Sequence, residues 1–327
     1  MAETADYDPG PWSGYDFKSA KATYDAYAGR SYSDAITKGI TKADLVPVSI
    51  ETESEAPLVI ACDVTGSMGE WPATIFSKLP YLDIEGREYL GETMEISFAA
   101  IGDCFSDSYP LQVQKFVGGK LLEDSLQKLV IEGGGGGTSQ ESYDLAALYY
   151  ARNVKMPNAI NKPIFIFIGD EGLYDSAKKV YAENNCHVVL EEENYNLQAI
   201  MGELQEKFSV YIIRKNYSGR DAEIHKQWTD ILGTERVIKL QDAGRVVDVI
   251  FGILAKETGK EDYFADEIKG RQKEDQVEVV MKSLATLHKI SDKGKASKLL
   301  AKPQASITRR KGGEDDGGTK KAIPLLD

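Results

Sequence analysis

The chain has 327 residues, 42% of them hydrophobic, and a formal net charge of -13, which allows a sizeable core in one large or two medium domains. The acidic balance argues against nonspecific binding to nucleic acid or to an anionic membrane. No apolar run approaches the ~20 residues of a membrane span, and the N-terminus lacks the basic and apolar regions of a signal peptide. Cys62, Cys104 and Cys186 are widely spaced and odd in number, which suits a reducing cytosol better than a disulfide framework. The expectation is a soluble, cytoplasmic protein.

Residues 1–54 read as a tyrosine-rich arm. Tyr7, Tyr15, Tyr24, Tyr27 and Tyr32 accompany Trp12 and a Pro-Gly-Pro turn at 9–11, and a short helix is expected near 17–27. So many aromatics predict an arm packed on the main domain; a partner-binding arm is the alternative. The run ETESE at 51–55 is a polar lead-in to the first core strand.

From residue 57 to about 257, strands and helices alternate. Residues 58–62 form a continuous apolar run, the pattern of a parallel strand buried on both faces. A helix over 71–79 follows, with Pro72 in its first turn, where the missing N–H costs nothing. Pro80 should break or kink it. Strands are expected at 94–101, at 111–117 (an antiparallel edge strand), at 163–168, at 210–214 and at 237–240. Helices are expected at 121–131, 142–153, 175–184, 197–207, 221–232 and 243–256. This alternation predicts an α/β domain over 55–257 built on an open, mainly parallel sheet covered on both faces. Beyond it, 258–306 is a C-terminal extension with a helix at 276–289. Residues 307–327 mix charges with Gly-Gly pairs and read as a disordered tail; its Ile323-Pro324-Leu325-Leu326 end is alternatively a docking motif.

Three segments end in oxygen-bearing side chains. The run PLVIACDVTGSM (57–68) carries Asp63, Thr65 and Ser67, EGGGGGTSQ (132–140) carries Thr138, and KPIFIFIGDEG (162–172) carries Asp170. In open α/β sheets, ligands bind beyond the carboxyl ends of the strands, where the winding direction reverses, so the three segments should converge there. Two carboxylates balance a dication, the hydroxyls are neutral ligands, and a position is left for a carboxylate from outside. Each part also has a plainer explanation. Asp63 and Asp170 can bond turns, Thr65 and Ser67 can be turn hydroxyls, and Thr138 with Glu141 makes a capping box. The glycine run lacks the Gly-Lys-Ser/Thr ending of a phosphate-binding loop. Asp103 and Asp107 should stand on the same rim, as turn formers or as contacts behind the ligands. His187, His225 and His288 are scattered and make no case for zinc or a nucleophilic triad.

Asp63-Val64-Thr65-Gly66-Ser67-Met68, the glycine-rich approach to Thr138 and Phe167-Ile168-Gly169-Asp170-Glu171-Gly172 resemble the metal-ion-dependent adhesion site of von Willebrand factor type A domains. The resemblance implies a Rossmann-like, doubly wound fold with Mg²⁺ or Mn²⁺ at the top of the sheet. It also implies Asp63, Thr65, Ser67, Thr138 and Asp170 as the metal residues, and protein–protein contact through a partner's Asp or Glu carboxylate. Thr65 departs from the commoner serine but keeps the hydroxyl. Intracellular members of the family often work in multiprotein machines, so a partner within an ATPase-containing complex fits the resemblance. The main expectation is a non-enzymatic adaptor. One alternative is a haloacid-dehalogenase-like phosphatase with Asp63 as nucleophile, although Thr65 stands where such enzymes usually carry a second aspartate. The other is an assembly protein in which the ion only stabilises the fold.

Overall fold

The computed structural model describes residues 41–69, 71–130, 137–217 and 219–287. The expected helix near 17–27, the tail with its Ile-Pro-Leu-Leu end and most of the glycine run lie outside these residues.

Six apolar segments form one sheet: β1 (Pro57–Asp63), β2 (Glu95–Ile101), β3 (Leu111–Val113), β4 (Ile164–Gly169), β5 (Ser209–Arg214) and β6 (Val237–Lys239). Their order is β6-β5-β4-β1-β2-β3, parallel throughout except for the antiparallel β2–β3 pair at one edge. Every residue of β1, β4 and β5 is buried, which is why these segments are apolar runs rather than alternating ones. The edge ladder stops at Val113, and a lone bridge joins Val117 to Ile96, so the expected 111–117 strand is shorter than its apolar pattern.

Helices α1 (Trp71–Ser77), α2 (Leu79–Leu90), α3 (Tyr143–Arg152), α4 (Leu197–Lys207), α5 (Asp221–Leu232) and α6 (Val246–Thr258) surround the sheet. Val59, Ala61, Phe165, Phe167, Val210 and Ile212 share one buried cluster with the apolar residues of α3 and α4. The intervening strand residues point the other way. There α2 packs on α6, with the Tyr81 ring edge-on to Phe251 at 4.8 Å. Among the described residues, no helix is long and apolar enough to cross a membrane.

Several elements differ from expectation, each for a local reason. The first helix stops before Lys78, and the chain becomes helical again with Pro80 in the opening turn of α2; the proline starts a helix there instead of ending one. Residues 175–184 are not one helix. Ser176–Lys178 pairs antiparallel with Asn194–Asn196, and the helix is Lys179–Cys186. Thr138 does not cap α3, because Gln140–Glu141 pairs with Gly172–Leu173 and Ser142 takes the cap position. Past α6, Gly259 at φ +70° ends the helix. Glu261–Arg271 and Glu274–Ser283 then form two further helices, where one at 276–289 was expected. Before β1, Ile50–Glu51 pairs with Val154–Lys155, and Leu45, Val46 and Ile50 enter the buried cluster. Thr52 and Ser54, in the segment expected as a polar lead-in, are buried.

Chain winding reverses beside β1: β2 follows it on one side, and β4 lies on the other. The crevice between the ends of β1 and β4 is therefore the place where such a sheet offers a binding site.

Candidate functional site

Asp63 is the last residue of β1, and Asp170 follows the last residue of β4. Because Cys62 pairs with Ile168, the two aspartates emerge side by side. Asp63 Oδ1 accepts from the Thr65 amide at 2.9 Å and from the Thr65 hydroxyl at 2.6 Å. This local turn brings Gly66–Met68 round as one 3-10 turn, closed by Gly69 at φ +58°. Thr65 Oγ1 lies 3.2 Å from Ser67 Oγ, which donates to Asp170 Oδ1 at 2.9 Å. Four of the five expected residues thus form one continuous chain of oxygens.

The spacing suits a hydrogen-bonded chain and also the coordination shell of a small dication. Ligands ~2.1 Å from an octahedral ion stand ~3.0 Å apart, and the successive contacts here run from 2.6 to 3.2 Å. Among the described residues, no three His, Cys, Asp or Glu side chains group to hold an ion by themselves. An ion at this place would need the hydroxyls as well as the two carboxylates.

Thr138 stands apart from that chain. It is exposed; its hydroxyl donates to the Gln140 carbonyl at 3.1 Å and lies 3.3 Å from the Tyr174 hydroxyl. Tyr174 in turn donates to Asp103 Oδ1 at 2.7 Å. Asp103 also accepts from the Phe105 amide and the Ser106 hydroxyl, and its own amide donates to Asp107 Oδ2. Both aspartates form the turn, and Asp103 additionally connects it to Thr138.

Several contributors escaped the sequence reading. Tyr143, on the first turn of α3, donates to Asp63 Oδ2 at 3.1 Å. It reaches there across Gly169, where an added Cβ would lie 1.8 Å from the Tyr143 hydroxyl; no other residue fits at that crossing. Lys215, just beyond β5, donates to the Ser67 carbonyl and stands 3.6 Å from Asp170 Oδ2. The buried Arg214 and Trp228 bond the carbonyls of Asp170 and Glu171 at 3.3 and 3.0 Å, holding that backbone in place. Lys215 had a readable signal, since it too follows an apolar strand. Tyr143 had none.

Asp63, Asp103, Glu141, Asp170 and Glu171 gather here, and none is more than 8% exposed. Among the described residues, Lys215 is the one cation in ion-pair contact with them. Burial pushes the Asp63 carboxyl up; the Thr65 hydroxyl pulls it back, and the charge of Asp170 adds to the rise. Burial also raises Asp170, against the opposing pull of Ser67 and Lys215. Glu141 is raised by burial and then by the charges of Asp63 and Glu171. This end of the sheet carries more negative charge than its own side chains neutralise. Cys62 donates to the Asp63 carbonyl at 3.2 Å, and burial raises its thiol well above the ordinary range, so it is unreactive. The His187 ring bonds the Val46 carbonyl, away from this crevice.

No family model matches the chain, and no curated protein matches it. Among solved structures, the pilus adhesin SpaC from Lactobacillus rhamnosus GG is similar with a TM-score of 0.44 and 12% identity. That match covers 68% of this chain and 32% of the adhesin. Its open conformation gives a TM-score of 0.41 at 10% identity, covering 67% and 31%. The chain thus spans about a third of the length of the adhesin it matches.

Proposed function

We propose that the chain is a cytoplasmic, non-enzymatic adaptor of the von Willebrand factor type A kind, which binds a protein partner through a Mg²⁺- or Mn²⁺-bridged carboxylate. Asp63, Thr65, Ser67 and Asp170 would hold the ion; Thr138, whose hydroxyl bonds Gln140 and Tyr174 and none of these four, has the weakest support of the five. The observation that carries this reading is the unbroken Asp63–Thr65–Ser67–Asp170 oxygen chain among five buried carboxylates, with Lys215 the one ammonium of the described residues that pairs with them. When bound, the ion would supply positive charge and an open coordination position. Tyr143 and the Arg214–Trp228 pair would keep the two carboxylates in register. Free thiols at Cys62 and Cys186 accord with a reducing compartment.

Affinity capture with wild-type protein in Mg²⁺, in chelator, and with a folded Asp63→Ala variant tests the reading. The adaptor requires a partner retained in Mg²⁺ and lost in the other two arms; a partner set indifferent to the ion sinks it. The phosphatase alternative gains one observation, the Lys215 ammonium beside Asp170 and Ser67, yet Thr65 remains where a general acid would be needed. Asp63-dependent hydrolysis of a chromogenic phosphoester would favour that alternative.

A further inference from the structure

The loop that carries Asp103 holds up a side chain for which the oxygen cluster has no use. Phe105 is 48% exposed, yet it is pinned in place. Its amide donates to Asp103 Oδ1 at 3.0 Å, and its ring lies 5.0 Å from that of Tyr174 and 5.1 Å from that of Tyr181. Lys178 Nζ stands 4.8 Å from the Phe105 ring centroid and 5.9 Å from that of Tyr181. The Tyr174 hydroxyl reaches both Asp103 and Thr138, so this aromatic platform and the carboxylate cluster share a wall. A rigid, exposed ring gives up little conformational freedom when a partner covers it, which is the character of a binding anchor.

Charge narrows the choice of occupant. The buried carboxylates repel an acidic group unless a cation lies among them, whereas Lys178 offers the rim a positive charge; among the described residues it has ring faces but no carboxylate partner. The fitting occupant carries a negative group for the crevice and an apolar side chain for the ring. We propose that Phe105, Tyr174, Tyr181 and Lys178 form a docking platform for an acidic peptide segment of a partner protein, whose carboxylate enters the Asp63–Asp170 crevice while a neighbouring aromatic or large aliphatic side chain packs on Phe105. This inference rests on the adaptor reading and deepens it by naming the partner's chemistry.

The test uses the full chain in two stages. Calorimetric titration with Mn²⁺ comes first. Fluorescence polarisation then compares labelled peptides with Gly-Asp-Gly, Phe-Asp-Gly and Gly-Asp-Phe cores in Mn²⁺. Covering the Phe105 ring should make one of the phenylalanine peptides bind about tenfold more tightly than the glycine peptide. Phe105→Ala should abolish that advantage and leave Mn²⁺ affinity unchanged. Equal binding of the three peptides, no binding of any, or a preference that survives Phe105→Ala overturns the platform. Self-association in ultracentrifugation that Phe105→Ala removes also overturns it, because the occupant is then a second copy of the chain. If Mn²⁺ itself does not bind, the adaptor reading falls as well; if Mn²⁺ binds and only the peptide preference fails, the platform falls alone.

Discussion

Two of the groups of buried charge among the described residues are built on opposite terms. On the α6 side, Asp248 sits between two guanidiniums, Arg245 Nη1 at 3.0 Å and Arg271 Nη1 at 2.6 Å. Arg271 also forms a fork with Glu267 at 2.7 and 2.8 Å and lies over the Tyr81 ring at 4.5 Å. Asp248 and Glu267 each meet a cation supplied by the same fold, and Glu85 beside them accepts from the Tyr263 hydroxyl. At the strand ends, by contrast, the described residues set five buried carboxylates beside one ammonium, that of Lys215, which pairs with Asp170. A structural network closes its own charge. The other cluster leaves charge for a proton or an ion from outside, as the proposed function requires.

The contrast predicts opposite responses to the same chemical change. Asp248→Asn removes the carboxylate that answers two guanidiniums and should cost about 3–5 kcal/mol, with or without Mg²⁺. Asp63→Asn removes a carboxylate whose ionised form burial disfavours. Without divalent ions at pH 8, this variant should be at least as stable as wild type in urea unfolding. Mg²⁺ at a hundred times its dissociation constant should add ~2.7 kcal/mol to wild type and nothing to the variant. If both substitutions are costly without ions, the two clusters are of one kind and the comparison fails.

Gly169→Ala sharpens the comparison from the backbone side. A methyl at that position meets the Tyr143 hydroxyl 1.8 Å away, so Tyr143 must give up Asp63. The expected cost is ~1–3 kcal/mol of overpacking, together with weaker Mg²⁺ stabilisation. Gly202, with open space around its added Cβ and a place in α4, serves as control. Gly202→Ala should be neutral or slightly stabilising and leave the ion response intact.

Sequence pattern carried the sheet and half of the site because both depend on short-range rules. Continuous apolar runs marked β1, β4 and β5, and the residue after such a run was bound to emerge at the sheet's end; Asp63 and Asp170 follow from that alone. Thr65 and Ser67 were readable because one local turn brings them to Asp63. What could not be read depends on contacts distant in the chain. Tyr143 looks like any apolar helix residue until it crosses Gly169, 26 positions away, to meet Asp63. Thr138 carries a capping signature that β pairing of Gln140 and Glu141 overrides. Pro80 illustrates the limit of local punctuation, since a proline reads the same whether a helix stops before it or starts around it. The helix Glu261–Arg271 has a weak apolar stripe, with Phe264 and Ile268 buried, and the contacts of Arg271 with Asp248 and Tyr81 are announced by no pattern.

Asp144 is raised chiefly by burial, with a smaller contribution from Asp103 of the cluster. It sits in the first turn of α3, 2% exposed, with Oδ1 lacking a partner among the described residues. Burial pushes its carboxyl up to about 7, against hydrogen bonds from the backbone amides of Leu145 and Asp144 itself. A folded-state pKa above the unfolded one means that the native state holds the proton longer. Stability is therefore greatest below the ordinary carboxylate range. It declines as pH rises toward about 7, by about 1.4 kcal/mol per pH unit from this one group. Above that pH both states are ionised, and the penalty is complete. Asp144→Asn should flatten this slope between pH 5 and 7, measured by urea unfolding at each pH, and Mg²⁺ should leave that flattening unchanged. Asp63→Asn should flatten the slope too, but only without Mg²⁺, because on the proposed function an ion would take the place of the proton at Asp63 and not at Asp144. A Mg²⁺-dependent slope at Asp144 would add a second residue of α3, beside Tyr143, to the site and redraw its boundary.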